Sequence, residues 1–338
     1  MTVIGIDTHT ASLAACAVDP RGAVLAEMTF PNTRAGHAGL AAWAADLDAT
    51  ARIGIEGSAT YGAALARGLE AAGWAVAEVP PHLTRRERIR TRRRGKSDPG
   101  DALAIARVAL TERELPPVRR ADASRELQLL VEAREDLVAE MTRIRNRLHA
   151  DLLVLLPGRH GALVGPRALA RLARQLGRCT GVQAELARDR LRALRHAQLE
   201  VERLTARITA RVAGHPLLAI PGVGPLTAAK LLGEVGEVRR LRSADAFAAL
   251  AGVAPIPASS GQVQRMRLNR GGNRQLNRAL FTVALVQRRC HPPAQAFVAR
   301  KRAEGRTQRE ALRCLKRHLA RVVFRALQRG TEFHRAAA

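Results

Sequence analysis

Four carboxylates in the first third of the chain have the residue types and spacing of a metal-binding set. Asp7 closes the apolar run Val3-Ile4-Gly5-Ile6, Glu56 follows Arg52-Ile53-Gly54-Ile55, and Asp98 and Asp101 stand three apart in Ser97-Asp98-Pro99-Gly100-Asp101. Magnesium ions (Mg2+) held by such acids activate an attacking oxygen and stabilise a leaving one during phosphodiester cleavage. Each acid alone reads more readily as a surface or capping group than as a ligand, and Asp98 suits a helix cap. Together, in this order, they predict one metal site. A second centre is less determined: Ser259-Ser260-Gly261 is followed by Arg265, Arg267 and Arg270, then by Gly271-Gly272-Asn273. A serine nucleophile facing a phosphodiester fits these residues, and so does a plain turn.

The acids converge only if the elements beneath them are strands and a helix. Val3 to Asp7, Ser12 to Val18 and Ala23 to Phe30 read as strands, the last two joined by the turn Asp19-Pro20-Arg21-Gly22, giving an antiparallel meander. Gly36 to Leu47 and Ala63 to Ala72 suit helices, and Arg52 to Glu56 and Trp74 to Val79 suit further strands. The result is a mixed α/β domain with helices on its sheet faces. Asp98 and Asp101 share one side of a helix running to about Leu110, with Pro99 in its first turn.

Beyond this domain the apolar residues Leu130, Leu137, Met141, Ile144, Leu148, Leu152 and Leu155 recur at helical steps. Leu191, Leu194, Val201, Leu204, Ile208 and Val212 repeat the pattern after a break at Pro157 to Pro166. Two long antiparallel helices in a coiled-coil hairpin follow, serving as a spacer or oligomer contact. The stretch Ile220-Pro221-Gly222-Val223-Gly224-Pro225, leading into Leu226 to Leu232, then matches a helix-hairpin-helix. Gly222 and Gly224 let the backbone approach a phosphate, and Lys230 stands on the second helix. A helix near Ser243 to Ala251, one from Asn273 to about Arg289, and a basic amphipathic helix from Thr307 to Leu327 complete the pattern, with a frayed tail beyond Gly330.

Charge narrows the partner. Of 338 residues, 56 are basic and 30 acidic, a formal net charge of +26. All the basic residues except Lys96, Lys230, Lys301 and Lys316 are arginine. Genomic base composition explains arginine in place of lysine, but not the excess over acids, so a polyanion is the expected partner. The densest run holds Arg85, Arg86, Arg88, Arg90, Arg92, Arg93, Arg94 and Lys96 and reads as a solvated, mobile loop that grips phosphates. Aromatic residues are 3% of the chain, so phosphate neutralisation outweighs base stacking in the expected contacts. No apolar run is long enough for a membrane span, no signal pattern opens the chain, and the four cysteines lack paired spacing. A cytoplasmic, nucleoid-associated protein is expected, with no membrane partner.

Taken in order, these motifs resemble the DEDD transposases of bacterial insertion sequences, the family numbered one-ten, whose relatives include phase-variation invertases and bridge-RNA-guided recombinases. The resemblance rests on Gly5-Ile6-Asp7, Ile55-Glu56-Gly57, Lys96-Ser97-Asp98 with Asp101, the helical spacer, Ile220 to Gly224, and Ser260-Gly261 followed by Arg265, Arg267 and Gly272-Asn273. It implies a ribonuclease-H-like (RuvC-like) α/β domain over 1–118, a coiled-coil hairpin over 119–213, and a mainly α transposase domain with the helix-hairpin-helix over 214–330. It also implies that Asp7, Glu56, Asp98 and Asp101 bind Mg2+, and that Ser260, or its neighbour Ser259, becomes linked to DNA as phosphoserine. Implied partners are DNA at element ends and target, a noncoding bridge RNA, and further copies of the chain in a dimer or tetramer whose subunits share active sites. Two other functions remain compatible with the residues. One is a Holliday-junction-resolving nuclease using the acids alone, and the other is a non-catalytic helix-hairpin-helix binding protein.

Overall fold

The computed structural model describes residues 1–90, 98–118, 123–158, 161, 163–258 and 266–336, with the backbone alone at 90, 98, 99 and 331–336. Two compact units divide the chain, Met1–Ala121 and Asp122–Ala338.

The first unit runs β1 (Val3–Thr8), β2 (Ser12–Val18), β3 (Val24–Pro31), α1 (Arg34–Asp48), β4 (Arg52–Glu56), α2 (Ala63–Ala71), β5 (Ala75–Glu78), α3 (Pro81–Arg90) and α4 (Asp98–Thr111). The sheet order is β3-β2-β1-β4-β5. The first three strands are antiparallel, whereas β4 lies parallel to β1 and β5 parallel to β4. This is the order and strand sense of a ribonuclease-H-like sheet. The meander turns where expected, because the Asp19 carboxylate accepts the Arg21 and Ala23 amides, each at 2.8 Å.

Strand alternation sorts each side chain to a face. Ile4, Ile6, Ile53 and Ile55 point to one side and are sealed by Leu40 and Ala44 of α1 and Leu65, Ala66 and Leu69 of α2. The other side receives Val3, Cys16 and Val18 with Ala102, Ile105, Ala106 and Ala109 of α4. Close approach of α4 needs Gly5 and Gly54. A Cβ on Gly5 would stand 2.2 Å from the Ala106 nitrogen and 2.3 Å from the Ala102 oxygen, and one on Gly54 would stand 2.7 Å from the Ala109 Cβ. The helix therefore crosses β1 with its first turns toward the end of that strand where Asp7 lies.

The basic run departs from expectation. Its first half is helical, in α3, with Thr84 and Glu87 buried. Arginine favours helices, and Pro81 suits a first helical position, so the segment needs only these inward contacts to be held. The remainder, 91–97, lies outside the described residues.

The second unit contains α5 (Ala123–Leu155), α6 (Pro166–Leu176), α7 (Val182–Val212), a one-turn 3-10 helix (Pro216–Ala219), α8 (Pro225–Val235), α9 (Ala244–Leu250), the short pair β6 (Ile256–Pro257) and β7 (Met266–Arg267), then α10 (Arg274–Cys290), α11 (Pro292–Ala303) and α12 (Gln308–Ala336). Helices α5 and α7 lie antiparallel: Arg211 meets Glu126 at 3.3 Å, Arg134 donates to Thr205 at 2.8 Å, and Arg190 pairs with Asp151. Helix α6 fills part of the apparent break, packing Leu169, Leu172 and Leu176 against both. Helix α12 does not fray at Gly330 but continues to Ala336. The glycine is there for contact: a Cβ would lie 2.1 Å from Nε2 of the buried His215. Among the described residues no helix is long and apolar enough to cross a membrane.

Candidate active site

Three of the four acids meet at one rim of the first unit. Asp7 and Glu56 are direct partners in the parallel β1–β4 register, on strands about 4.8 Å apart. Alternation puts both on the α4 face, since Gly5 and Gly54, two residues earlier on each strand, are the positions that α4 covers. Asp101, in the first turns of that helix, is buried, as is Asp7. The Asp98 side chain lies outside the described residues. Among the described residues no group of three or more His, Cys, Asp or Glu side chains has the arrangement of a metal site.

The electrostatics record the convergence. Burial pushes the Glu56 carboxyl above its ordinary pKa, and the negative charges of Asp7 and Asp101 add to the rise. The Thr84 hydroxyl and the Arg88 guanidinium act the other way. Arg88 itself donates from Nη1 to Asp101 Oδ1 at 2.6 Å, with that carboxylate almost wholly shielded from solvent. Such a charge-assisted bond offsets the like-charge repulsion at the rim.

A surrounding layer holds these groups, and reading the sequence did not single it out. His9 Nε2 lies 3.2 Å from Asp7 Oδ2, and the His9 carbonyl accepts Asn32 Nδ2 at 2.8 Å. The Thr8 hydroxyl donates to the Glu56 carbonyl at 2.9 Å, tying the two strand ends together. Past Glu56, the Ser58 amide donates to Glu78 Oε2 at 3.0 Å, and burial raises the pKa of that carboxyl. Thr8 and His9 follow Asp7 directly, so adjacency was an available signal. Glu78 and Thr84 had none.

The predicted phosphate contacts scatter. Arg85 and Arg86 are exposed on α3, and Arg86 bridges to Glu112 at 2.5 Å. The Arg90 side chain and Arg92, Arg93, Arg94 and Lys96 are outside the described residues. In the second unit Gly222 takes φ +84, where a Cβ would stand 3.2 Å from the Val286 side chain, and Gly224 precedes the first residue of α8 with open space at its Cβ position. Lys230 faces inward. It is buried, paired with Glu135 of α5, and donates to Gln275 Oε1 at 3.0 Å. Asn273 caps α10 by accepting the Gln275 and Leu276 amides, and donates to Glu234 at 2.7 Å. Arg267 and Arg270 are exposed, whereas Ser259, Ser260 and Arg265 lie outside the described residues.

Arg270 borders a cavity of about 1010 Å³ lined by residues 252–255, by Met266 of β7 and the residues after it, and by α10 and α12. Its wall is strongly cationic, with Arg274 and Arg278 from α10 and Arg313, Lys316 and Arg317 from α12. The second unit thus places a basic recess beside the strands that bracket the serine-bearing segment.

Comparison with known proteins gives the same assignment over most of the chain. Residues 4–157 match a transposase family model of the DEDD IS110 type, and residues 214–299 match the model described as transposase IS116/IS110/IS902 family. A 43.6 kDa protein of insertion element IS110 from Streptomyces coelicolor is 31% identical over 77% of this chain and 77% of its own length. A 42 kDa protein of IS900 from Mycobacterium paratuberculosis is 28% identical over 93% of this chain and 89% of its own. The pilin gene-inverting protein of Moraxella bovis is 25% identical over 98% and 97%. With an acid-bearing α/β unit, a mostly helical second unit and these relatives along nearly the full chain, the protein belongs to the IS110 family of DEDD transposases.

Proposed function

We propose that this chain cleaves and exchanges DNA strands with two kinds of group: the acidic rim of the first unit, loaded with Mg2+, and a serine of the second. The observation that carries the reading is the register pairing of Asp7 with Glu56 beside Asp101 on the face covered by α4. The donor set fits a hard divalent cation, because it offers carboxylate oxygens near enough that the charges of Asp7 and Asp101 add to the burial that raises the Glu56 pKa. Asp7, Glu56, Asp98 and Asp101 would hold the ion, which when bound supplies positive charge to the scissile phosphate and its leaving oxygen. Until then Arg88 shields Asp101.

In the serine step the Oγ of Ser260, or of Ser259, attacks phosphorus. An Oγ–P bond forms as the serine hydroxyl gives up its proton, the P–O bond to the leaving deoxyribose oxygen breaks, and that oxygen takes up a proton, so the step is neutral in protons. Attack by a deoxyribose hydroxyl of the new partner strand reverses the sequence and restores the serine, so no external energy source is needed. Arginines near the hairpin meet phosphate charge, and the glycine turn before α8 offers backbone amides to a phosphate in the manner of a helix-hairpin-helix. The α5–α7 pair serves as a coiled-coil spacer through which copies of the chain assemble, and a bridge RNA occupies part of the basic surface.

The test is a covalent trap. End-labelled DNA carrying the element ends is incubated with the full chain, bridge RNA and Mg2+, then resolved under denaturing conditions. A labelled protein–DNA adduct is expected with the wild type. It should be absent from Asp7→Asn and from one of Ser260→Ala or Ser259→Ala, each still binding DNA. Cleavage without an adduct would replace this reading with a water-using resolving nuclease. Full activity after alanine at both serines would remove the serine mechanism.

A further inference from the structure

The cavity of the second unit has a composition that phosphate neutralisation alone does not explain. On α10, Arg274, Arg278 and Phe281 follow at four- and three-residue steps and so share one side of the helix. Phe281 is 41% exposed at the cavity, in a chain with only 3% aromatic residues, and Met266 and Leu268 are also exposed beside it. Exposed apolar side chains within a ring of arginines form an apolar floor under a cationic wall. Such a surface suits a ligand with both a flat apolar face and a negative charge.

The wall is built rather than incidental. Lys316 Nζ stands 5.6 Å from the Phe281 ring centroid and donates to Asn277 Oδ1 at 2.8 Å. Asn277 is in turn fixed by donating to the Ala251 and Gly252 carbonyls at 2.9 and 3.1 Å. Burial and the nearby Arg313 lower the Lys316 pKa. Glu310 is the one acid among the described lining residues, and its carboxylate is taken by the Thr307 amide and hydroxyl, each at 2.8 Å. Arg317 is engaged by Asp245 at 3.1 Å, and Arg306 and Arg313 act on Glu310, so five arginines besides Arg317, namely Arg270, Arg274, Arg278, Arg306 and Arg313, face a single lining carboxylate and can meet a ligand's charge.

We propose that this cavity seats an unstacked nucleotide of a single nucleic-acid strand, with its base on Phe281 and its phosphates between the arginines of α10 and α12. A volume of about 1010 Å³ holds roughly one or two nucleotides. A duplex keeps its base faces stacked inside and presents none to a ring, so the seat selects opened strand. The inference deepens the recombinase reading by naming the form of its substrate, and it rests on that reading for a role of Ser259 or Ser260, which follow β6 and precede β7 in the chain. DNA and RNA share the chemistry, and the experiment separates them.

The full chain is titrated into fluorescent octathymidylate, into an octamer of abasic deoxyribose phosphates, into octauridylate and into a DNA duplex, with anisotropy as the readout. The wild type should prefer octathymidylate to the abasic octamer by about tenfold, the order expected for one stacked base. Phe281→Ala should erase that preference, Phe281→Tyr should keep it, and duplex affinity should not move. Arg274→Gln with Arg278→Gln should weaken both octamers alike. Tighter binding of octathymidylate or of octauridylate, lost in Phe281→Ala, supports the seat and names its strand. A cooperatively folded Phe281→Ala that still prefers the base-bearing octamer overturns it. If that variant does not fold, Phe281→Leu keeps the volume without the π face and carries the same expectation. The covalent trap run beside it separates the two claims. An adduct with no Phe281-dependent preference sinks the seat alone, and a Phe281-dependent preference with no adduct sinks the serine mechanism alone.

Discussion

Single side chains set the character of the acidic rim. Asp101 is not a bare carboxylate awaiting a metal, because Arg88 holds one of its oxygens at 2.6 Å. Glu78 does a different task nearby: half-buried, it accepts the Ser58 amide and so fixes the chain just after Glu56. Because burial raises the Glu78 pKa in the folded state, the folded chain holds this proton more tightly than the unfolded chain. Stability therefore falls as pH rises from the ordinary glutamate range through the raised folded value. Glu78→Gln keeps an acceptor for Ser58 and removes this penalty. Urea unfolding across pH 4 to 8 should show the variant gaining on the wild type as pH rises; a constant difference would mean that Glu78 does not titrate in that window. The acids at strand ends were legible because an apolar run closing on a carboxylate is a local pattern. Arg88 was hidden among equivalent arginines, and Lys230 was read as a phosphate contact because its partner Glu135 lies on α5, far away in the chain.

Elements meet where side chains are missing. Helix α4 reaches the sheet over Gly5, and its small residues Ala102, Ala106 and Ala109 complete the fit. Gly5→Ala places a methyl against backbone atoms that no rotamer change can move, so either the helix lifts or the strand bends. A loss of about 2 kcal/mol or more is expected, measured by chemical denaturation. Nucleic-acid cleavage should fall further than stability does, since the same shift carries Asp101 away from Asp7. Unchanged stability would show that α4 has slack at this crossing. The sheet order followed from strand runs and turn residues with clear periods. Helix α3 did not, because its charged composition masks the two inward positions Thr84 and Glu87 that hold it. Gly330 misled for a related reason: glycine marks a helix end by conformation and a close packing contact by size, and only the fold distinguishes the two.

On the scale of the whole molecule the net charge of +26 is the dominant property. Binding to any nucleic acid should be governed by counterion release, with the logarithm of affinity falling linearly against the logarithm of salt concentration. If six to ten phosphates are neutralised, raising salt from about 50 to about 200 mM should weaken binding by roughly 10³- to 10⁵-fold. A filter-binding series on one duplex measures the slope, and a slope near zero would mean that the arginines are matched internally. The crossing at Gly5 also has meaning for a protein carried by a mobile element, whose copies drift once inserted. Every missense change at a glycine codon adds at least one carbon, so no such change at this position is mild. A copy with another residue there can retain all four acids and still have lost the means of gathering them. Among decaying relatives, Gly5 would therefore report on the integrity of the centre more faithfully than the acids themselves.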